Sequence, residues 1–442
     1  SMSVFNLLSL QSVNSNSILS MNYIPFYLAV SQSIGSPQAN QLHNKLNLSM
    51  EHPYLLELIR AHHIEDIPVY LNRIKGISVH AEPYDHQAQK EIDRAFSKAI
   101  NTPRLTYANN VLFEIIDDEV FINHTVNVDP YFYTKIIQCL NTRRGDYSHM
   151  VERYLEILMQ NKNYHFFREI KNTLELVEGG KYKLDEKNEI LYSLFSDIKV
   201  AEFNYVWRPV ANVAIWELQN QNSTESQFLK GANFEEQFDF ELSNTKMKTA
   251  IHFFDIMIRE SIYQKAEWHM WLFYYHRFVE VLIANIPDNY YDQDDHEPTL
   301  NHKLIHDIIE NMLDWLDVGV ELKINNLSID ICRCIGKCIY EITSSDILSD
   351  KVKVRPLDRL LKKYFDYGWN PEAEFQMLEL EKTLLMPSDK LKWGDQEENV
   401  EKYKHATNLA WRNFDKIPYS AYGGNIAYNK FHPTLLDQIN QI

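Results

Sequence analysis

The run SNTKMKTAIHFFDIMIRESIYQKAEWHMWLFYYHRFVEVLIANI, residues 243–286, decides the fold class. Ser243 or Asn244 can cap a helix, and the pattern through Phe253, Met257, Trp268, Trp271, Tyr275, Phe278 and Leu282 keeps a helical period until Pro287 stops it. Over its second half the run is apolar nearly all round. Such a helix belongs at the centre of a bundle or stack. His269, His276, Arg277 and Glu280 interrupt it, and a charge at mid-bilayer costs about 2.5–3.5 kcal/mol, so it reads as a buried helix and not a membrane span. His276 and Glu280 stand at i and i+4, and as buried polar groups they are expected to pair with each other or with a neighbouring helix.

Working outward, the helical period begins near Asp129-Pro130, where Asp caps and Pro suits the first turn, and Tyr133, Ile136, Ile137 and Leu140 share one face. Helices are predicted at 147–160, 164–177, 184–194 and 200–220 before the central run. Others follow at 299–320, 327–342, 356–367, 371–385 and 396–413, and 417–433 is irregular. No repeat of about 34–47 residues holds across them. The polar stretch 220–243, opening with NQNSTES, is the best internal break.

The front third reads differently. Asn22–Ser31 is strand-like, with Pro25 at a start or edge, and Val69–His80 has the look of a short hairpin about Gly76. Val111–Ile116 and Val120–Val126, two β-prone runs around Asp117-Asp118-Glu119, predict a β-hairpin. The expected architecture is therefore mainly α: an irregular multi-helix domain, bundle or solenoid-like, over residues 129–442, preceded by a smaller α+β unit with a β-hairpin over 2–128.

Composition bounds the function. The chain has 442 residues with 44 Lys+Arg against 61 Asp+Glu, a formal net charge of −17, which excludes a basic nucleic-acid coat. With 12 glycines against 26 Tyr, 22 Phe and 8 Trp, broad aromatic packing organises the fold and Gly-rich phosphate loops do not. Walker, dinucleotide-binding, nucleophile-elbow and kinase-loop signatures are absent from the sequence. Three of the four cysteines, Cys332, Cys334 and Cys338, crowd into one short segment, an arrangement that suits a reducing, cytoplasmic compartment. Ser1 reads as a cleavage scar before Met2, and the following residues lack a signal-peptide pattern.

Several constellations bear chemistry. His302 and His306 stand one helical turn apart, so two imidazoles face one way and can chelate a divalent metal, with His296 as a further donor. Cys334 and Cys338 share the same spacing, although their segment is patterned as an apolar helix in which cysteine serves as a small hydrophobe. The acidic loop 288–297 could face a cation or a basic partner. Lys351, Lys353, Arg355, Arg359, Lys362 and Lys363 form a basic stripe suited to phosphate, to an acidic partner, or simply to a solvated helix face.

The segment Arg144-Gly-Asp-Tyr-Ser-His149, at a junction between predicted helices, resembles the Arg-x4-6-His motif of HEPN-type ribonucleases, which are all-helical. The resemblance covers these residues alone. It implies that His149 assists general acid/base cleavage of RNA while Arg144 stabilises the phosphate.

The leading expectation is a cytoplasmic helical interaction or adaptor protein that binds a macromolecular partner, a protein above all, through an aromatic-rich helical surface. The alternative is a HEPN-like or metal-dependent hydrolase acting on nucleic acid, of the kind found in bacterial defence or toxin systems. Assembly into a homo- or hetero-oligomer is a further expectation, and membrane association is not.

Overall fold

The structure is a computed structural model, and it describes residues 119–134, 137, 148–175, 177–178, 181–182, 184, 187–231, 239–266, 271–287, 299–387, 397–415, 435 and 437–439. Over these residues the fold is mainly α. Nearly all of the expected α+β unit, Val111–Ile116 included, lies outside them. The other expected strand, Val120–Val126, is instead part of helix α1 (Glu119–Val128). Its β-branched residues suit a strand, but Ile122 and Val126, one turn apart, are both buried in the packing with the next helix, and tertiary burial outweighs weak intrinsic propensity.

The chain divides into two compact units, Ser1–Phe166 with Asp185–Pro209, and Phe167–Leu184 with Val210–Ile442. In the first unit α1 packs on α2 (Ser148–Gln160). Arg153 reaches Glu119 at 3.6 Å, and the buried Tyr154 hydroxyl donates to the Pro130 carbonyl at 2.7 Å. Tyr133 and Ile137, read as one face from their spacing, are both buried, and the Asp129 carboxylate accepts from the Tyr131 N–H at 3.1 Å. Helices α4 (Glu189–Phe195) and α5 (Ile198–Phe203) pack together, while α3 (Tyr164–Glu175) and α6 (Trp207–Gln219) carry the chain between units.

The second unit opens with a short antiparallel hairpin, β1 (Val177–Glu178) and β2 (Lys181–Tyr182), with Val177 opposite Tyr182. Helices α7 (Thr224–Gly231), α8 (Asp239–Ser243), α9 (Lys246–Tyr263), α10 (Trp271–Ala284), α11 (Leu300–Glu321) and α12 (Asn325–Ser344) follow. Then come α13 (Asp350–Gly368), a 3-10 turn (Pro371–Ala373), α14 (Glu374–Leu385) and α15 (Glu397–Asp415).

The single long helix expected over 243–286 is thus two, α9 and α10. The reason is a closure that carries no glycine. Lys265 takes φ 55°, its N–H bonds to the Ile262 carbonyl at 3.1 Å, and the Ala266 N–H bonds to the Ser261 carbonyl at 2.9 Å, the paired bonds of a Schellman cap. The same device ends α2 at Lys162, α5 at Tyr205 and α11 at Lys323, all at positive φ.

The hub of the second unit is α12, which packs on α10, α11, α13, α14 and α15. Cys332, Cys334 and Cys338 are buried in it among Ile331, Ile335 and Ile339. Gly336 permits the closest approach: a Cβ there would lie 2.4 Å from the Pro387 carbonyl oxygen just past α14. Two residues of the basic stripe on α13 are committed to α11, while Lys351, Arg355 and Lys362 are exposed. Arg359 forks onto Glu310, and Lys363 and Tyr367 both reach Asp317, at 2.6 and 2.7 Å. Lys353, also of the stripe, is buried, and that burial holds its ammonium below the usual lysine range.

Candidate functional site

Two clusters of charged and polar side chains stand out within the second unit. The first is centred on Asp255 of α9, whose carboxylate is nearly sealed from solvent. It accepts from Arg259 Nε at 3.0 Å, from Trp315 Nε1 at 2.6 Å and from the Tyr182 hydroxyl. The Arg259 guanidinium also lies over the Tyr182 ring, 5.2 Å from its centroid, and 3.6 Å from Asp314. Burial pushes the Tyr182 phenol far above its ordinary value and Asp255 adds to this, so the hydroxyl stays a donor. Burial, the largest single effect, would lower Arg259, but Asp255, Tyr182 and Asp314 together outweigh it and raise it. Three donors from three elements thus surround one carboxylate, and the arrangement ties β2, α9 and α11 together.

The second cluster is the seam between α10 and α12. Leu272, His276 and Glu280 follow one another by single turns along α10, and Cys334, Cys338 and Glu341 do so along α12. The Cys334 thiol donates to the Leu272 carbonyl at 3.3 Å, which fixes the register. Further along, His276 Nε2 stands 3.9 Å from a Glu280 oxygen and 3.9 Å from a Glu341 oxygen. His276 is buried, Glu341 half-buried and Glu280 exposed, so the cluster opens to solvent on the Glu280 side. Burial holds the Cys338 thiol well above its usual range, with Cys334, Glu341 and Glu280 adding to the effect. Cys338 is therefore a protonated neighbour of these groups.

The sequence-derived site residues fall as follows. His149 is exposed as the second residue of α2, and Arg144 lies outside the described residues. His296 and the acidic loop 288–297 also lie outside them. His302 is buried at the start of α11, and its Nδ1 accepts from the Thr299 N–H at 3.0 Å and stands 2.9 Å from the Thr299 hydroxyl. That makes it the return arm of a capping box, with histidine where glutamate or glutamine is usual. Burial pushes its imidazole down to about 4. His306, one turn on, has Nδ1 3.7 Å from Glu310, the carboxylate already clamped by Arg359.

Glu341 was not among the sequence-derived candidates. The pairing of His276 with Glu280 was readable from the helical period, but the third member comes from a helix more than sixty residues further on, so no local spacing announces it.

No protein-family model, no curated protein and no solved structure matches this chain.

Proposed function

We propose that this chain is a helical interaction protein that binds a protein partner through aromatic side chains on the outer faces of its helices. One observation carries the reading. In the second unit Trp216 is 61% exposed, Phe240 68% and Phe273 52%, on helices that otherwise turn their apolar residues inward. On α6 the contrast is sharp: Val210, Ala211, Val213, Ala214, Ile215 and Leu218 are all buried, and Trp216 alone of its large apolar residues faces water. Large aromatic side chains carry much of the binding energy in protein interfaces, with tryptophan foremost. A net charge of −17 favours a partner with a basic surface, through faster encounter.

The test is quantitative affinity capture from the native cell with the wild-type chain and a Trp216→Ser/Phe240→Ser/Phe273→Ser variant. These positions are exposed, so the thermal unfolding temperature should hold while at least one protein captured by the wild type is lost. Identical capture by both chains would overturn the reading.

A further inference from the structure

We infer that His276, Glu280 and Glu341 form a binding site for a divalent transition-metal ion of the zinc class, at the solvent-facing end of the α10–α12 seam. The inference is independent of the interaction reading.

The geometry carries it. One donor atom from each residue lies within 4.8 Å of the other two. The His276 ring nitrogen stands 3.9 Å from an oxygen of each glutamate, so the three donor atoms face a common point. That point lies within about 2.5 Å of each donor atom, against about 2.0–2.2 Å for zinc–nitrogen and zinc–oxygen bonds. The remaining difference is a few tenths of an ångström per ligand. Glu280, exposed on a flexible stem, can supply most of that movement, whereas His276 and Glu341 are held by the packing of α10 on α12.

The chemistry agrees. Two carboxylates and a neutral imidazole carry a charge of −2, which a divalent ion neutralises. An imidazole donor with only two carboxylates selects zinc-class ions over calcium or magnesium, which require more oxygen ligands or their retained water. Three protein ligands and a solvent-open fourth position describe an exchangeable or reactive site, since structural zinc sites close all four. Cys338 is fully buried in the core, and the donor atoms that converge are those of His276, Glu280 and Glu341, which leaves the ligand set as nitrogen and oxygen.

The test uses the full chain, purified without a metal-affinity step and stripped with a chelator. Zinc is titrated by calorimetry into the wild type, Glu341→Gln and Glu280→Gln, with far-ultraviolet circular dichroism confirming the fold. The wild type should bind one zinc ion at this site and gain thermal stability from it. Altering residues behind a metal ligand costs about 10–100-fold in affinity, so loss of a ligand should cost at least about that in each variant. Glu280 is exposed, so Glu280→Gln keeps the test open if Glu341→Gln does not fold. Cobalt substitution should give visible bands of a nitrogen–oxygen site without thiolate charge transfer. Zinc affinity unchanged in Glu280→Gln, absence of zinc binding by the wild type, or a thiolate–cobalt band would each overturn the proposal.

Discussion

The cap of α11 makes an acid-sensitive joint, and His302→Gln should remove it. His302 is 6% exposed, and its Nδ1 accepts from the Thr299 backbone N–H. A proton on Nδ1 would abolish that acceptor and put a positive charge at the positive end of the helix dipole. Burial is the larger effect, and it moves the imidazole from 6.5 to about 4. The unfolded chain therefore takes up a proton as the pH falls through 6.5, while the folded chain holds out until about 4. A depressed value of this kind gives stability that is complete above 6.5, declines steadily as the pH falls, and is gone below about 4. At about 1.4 kcal/mol per pH unit, the whole interval is worth on the order of 3 kcal/mol. Glutamine at this position can still reach back to the Thr299 N–H, so the variant should match the wild type to within about 1 kcal/mol at neutral pH. In acid it should become the more stable chain, by up to about 3 kcal/mol at the bottom of the interval. Urea unfolding of both proteins across that range reads the difference directly. Other groups that titrate there, including His252, whose imidazole burial also holds down, are common to both chains and cancel. Parallel stability curves from pH 7 to about 4.5 would refute the argument.

Three further outcomes test the packing. Trp315→Phe removes the indole donor 2.6 Å from Asp255 and leaves a buried carboxylate short of a partner, so urea unfolding should show a loss of about 2–4 kcal/mol. Gly336→Ala gains about 1 kcal/mol of helix propensity but drives a methyl to 2.4 Å from a backbone carbonyl, and thermal melts should show net destabilisation of about 1–2 kcal/mol. Lys265→Gly relieves a side chain held at φ 55° and should stabilise the protein by about 0.5–1 kcal/mol, measured by the same melts; a loss of stability would mean that the closure of α9 is not strained.

Much of the helical order was legible because it follows from periodicity and caps. The expectation of a helix over 299–320 meets α11 at Leu300–Glu321, and Thr299 is its cap; 327–342 meets α12 at Asn325–Ser344; 396–413 meets α15 at Glu397–Asp415. Besides the strand expected at Val120–Val126, other local readings went astray, each for a physical reason. The division between α9 and α10 was hidden because lysine, not glycine, occupies the left-handed position that ends α9. Helix α13 begins at Asp350, earlier than the expected start at Pro356; an interior proline costs about 3 kcal/mol, and the burial of Val354, Pro356, Leu357 and Leu360 opposes that cost. Gly179-Gly180 read only as a break between helices, whereas strands β1 and β2 pair on either side of it. Polar interiors were the least legible. Ser226, Asn285 and Asn301 look like surface residues, yet they form a buried chain of hydrogen bonds from α7 through the end of α10 to α11.

The same limit governs the candidate metal ligands. His302 with His306, Cys334 with Cys338, and His276 with Glu280 are all i,i+4 pairs, so one helical face presents each pair equally well and the sequence has no means of ranking them. Tertiary packing separates them. The Nδ1 of His302 is used by its own helix cap, and His306 faces a carboxylate that Arg359 already holds. Cys334 donates to a carbonyl, and Cys338 is fully buried in the core. Among the described residues, the seam at His276 is where a second helix supplies a third donor, Glu341, within reach of the first two and beside solvent. Affinity for a metal rises with each preorganised ligand, and the register that provides this one is set a few turns away by Cys334 on Leu272. On this reasoning, changes that loosen the packing of α12, such as Gly336→Ala, should weaken zinc binding even though they touch no ligand.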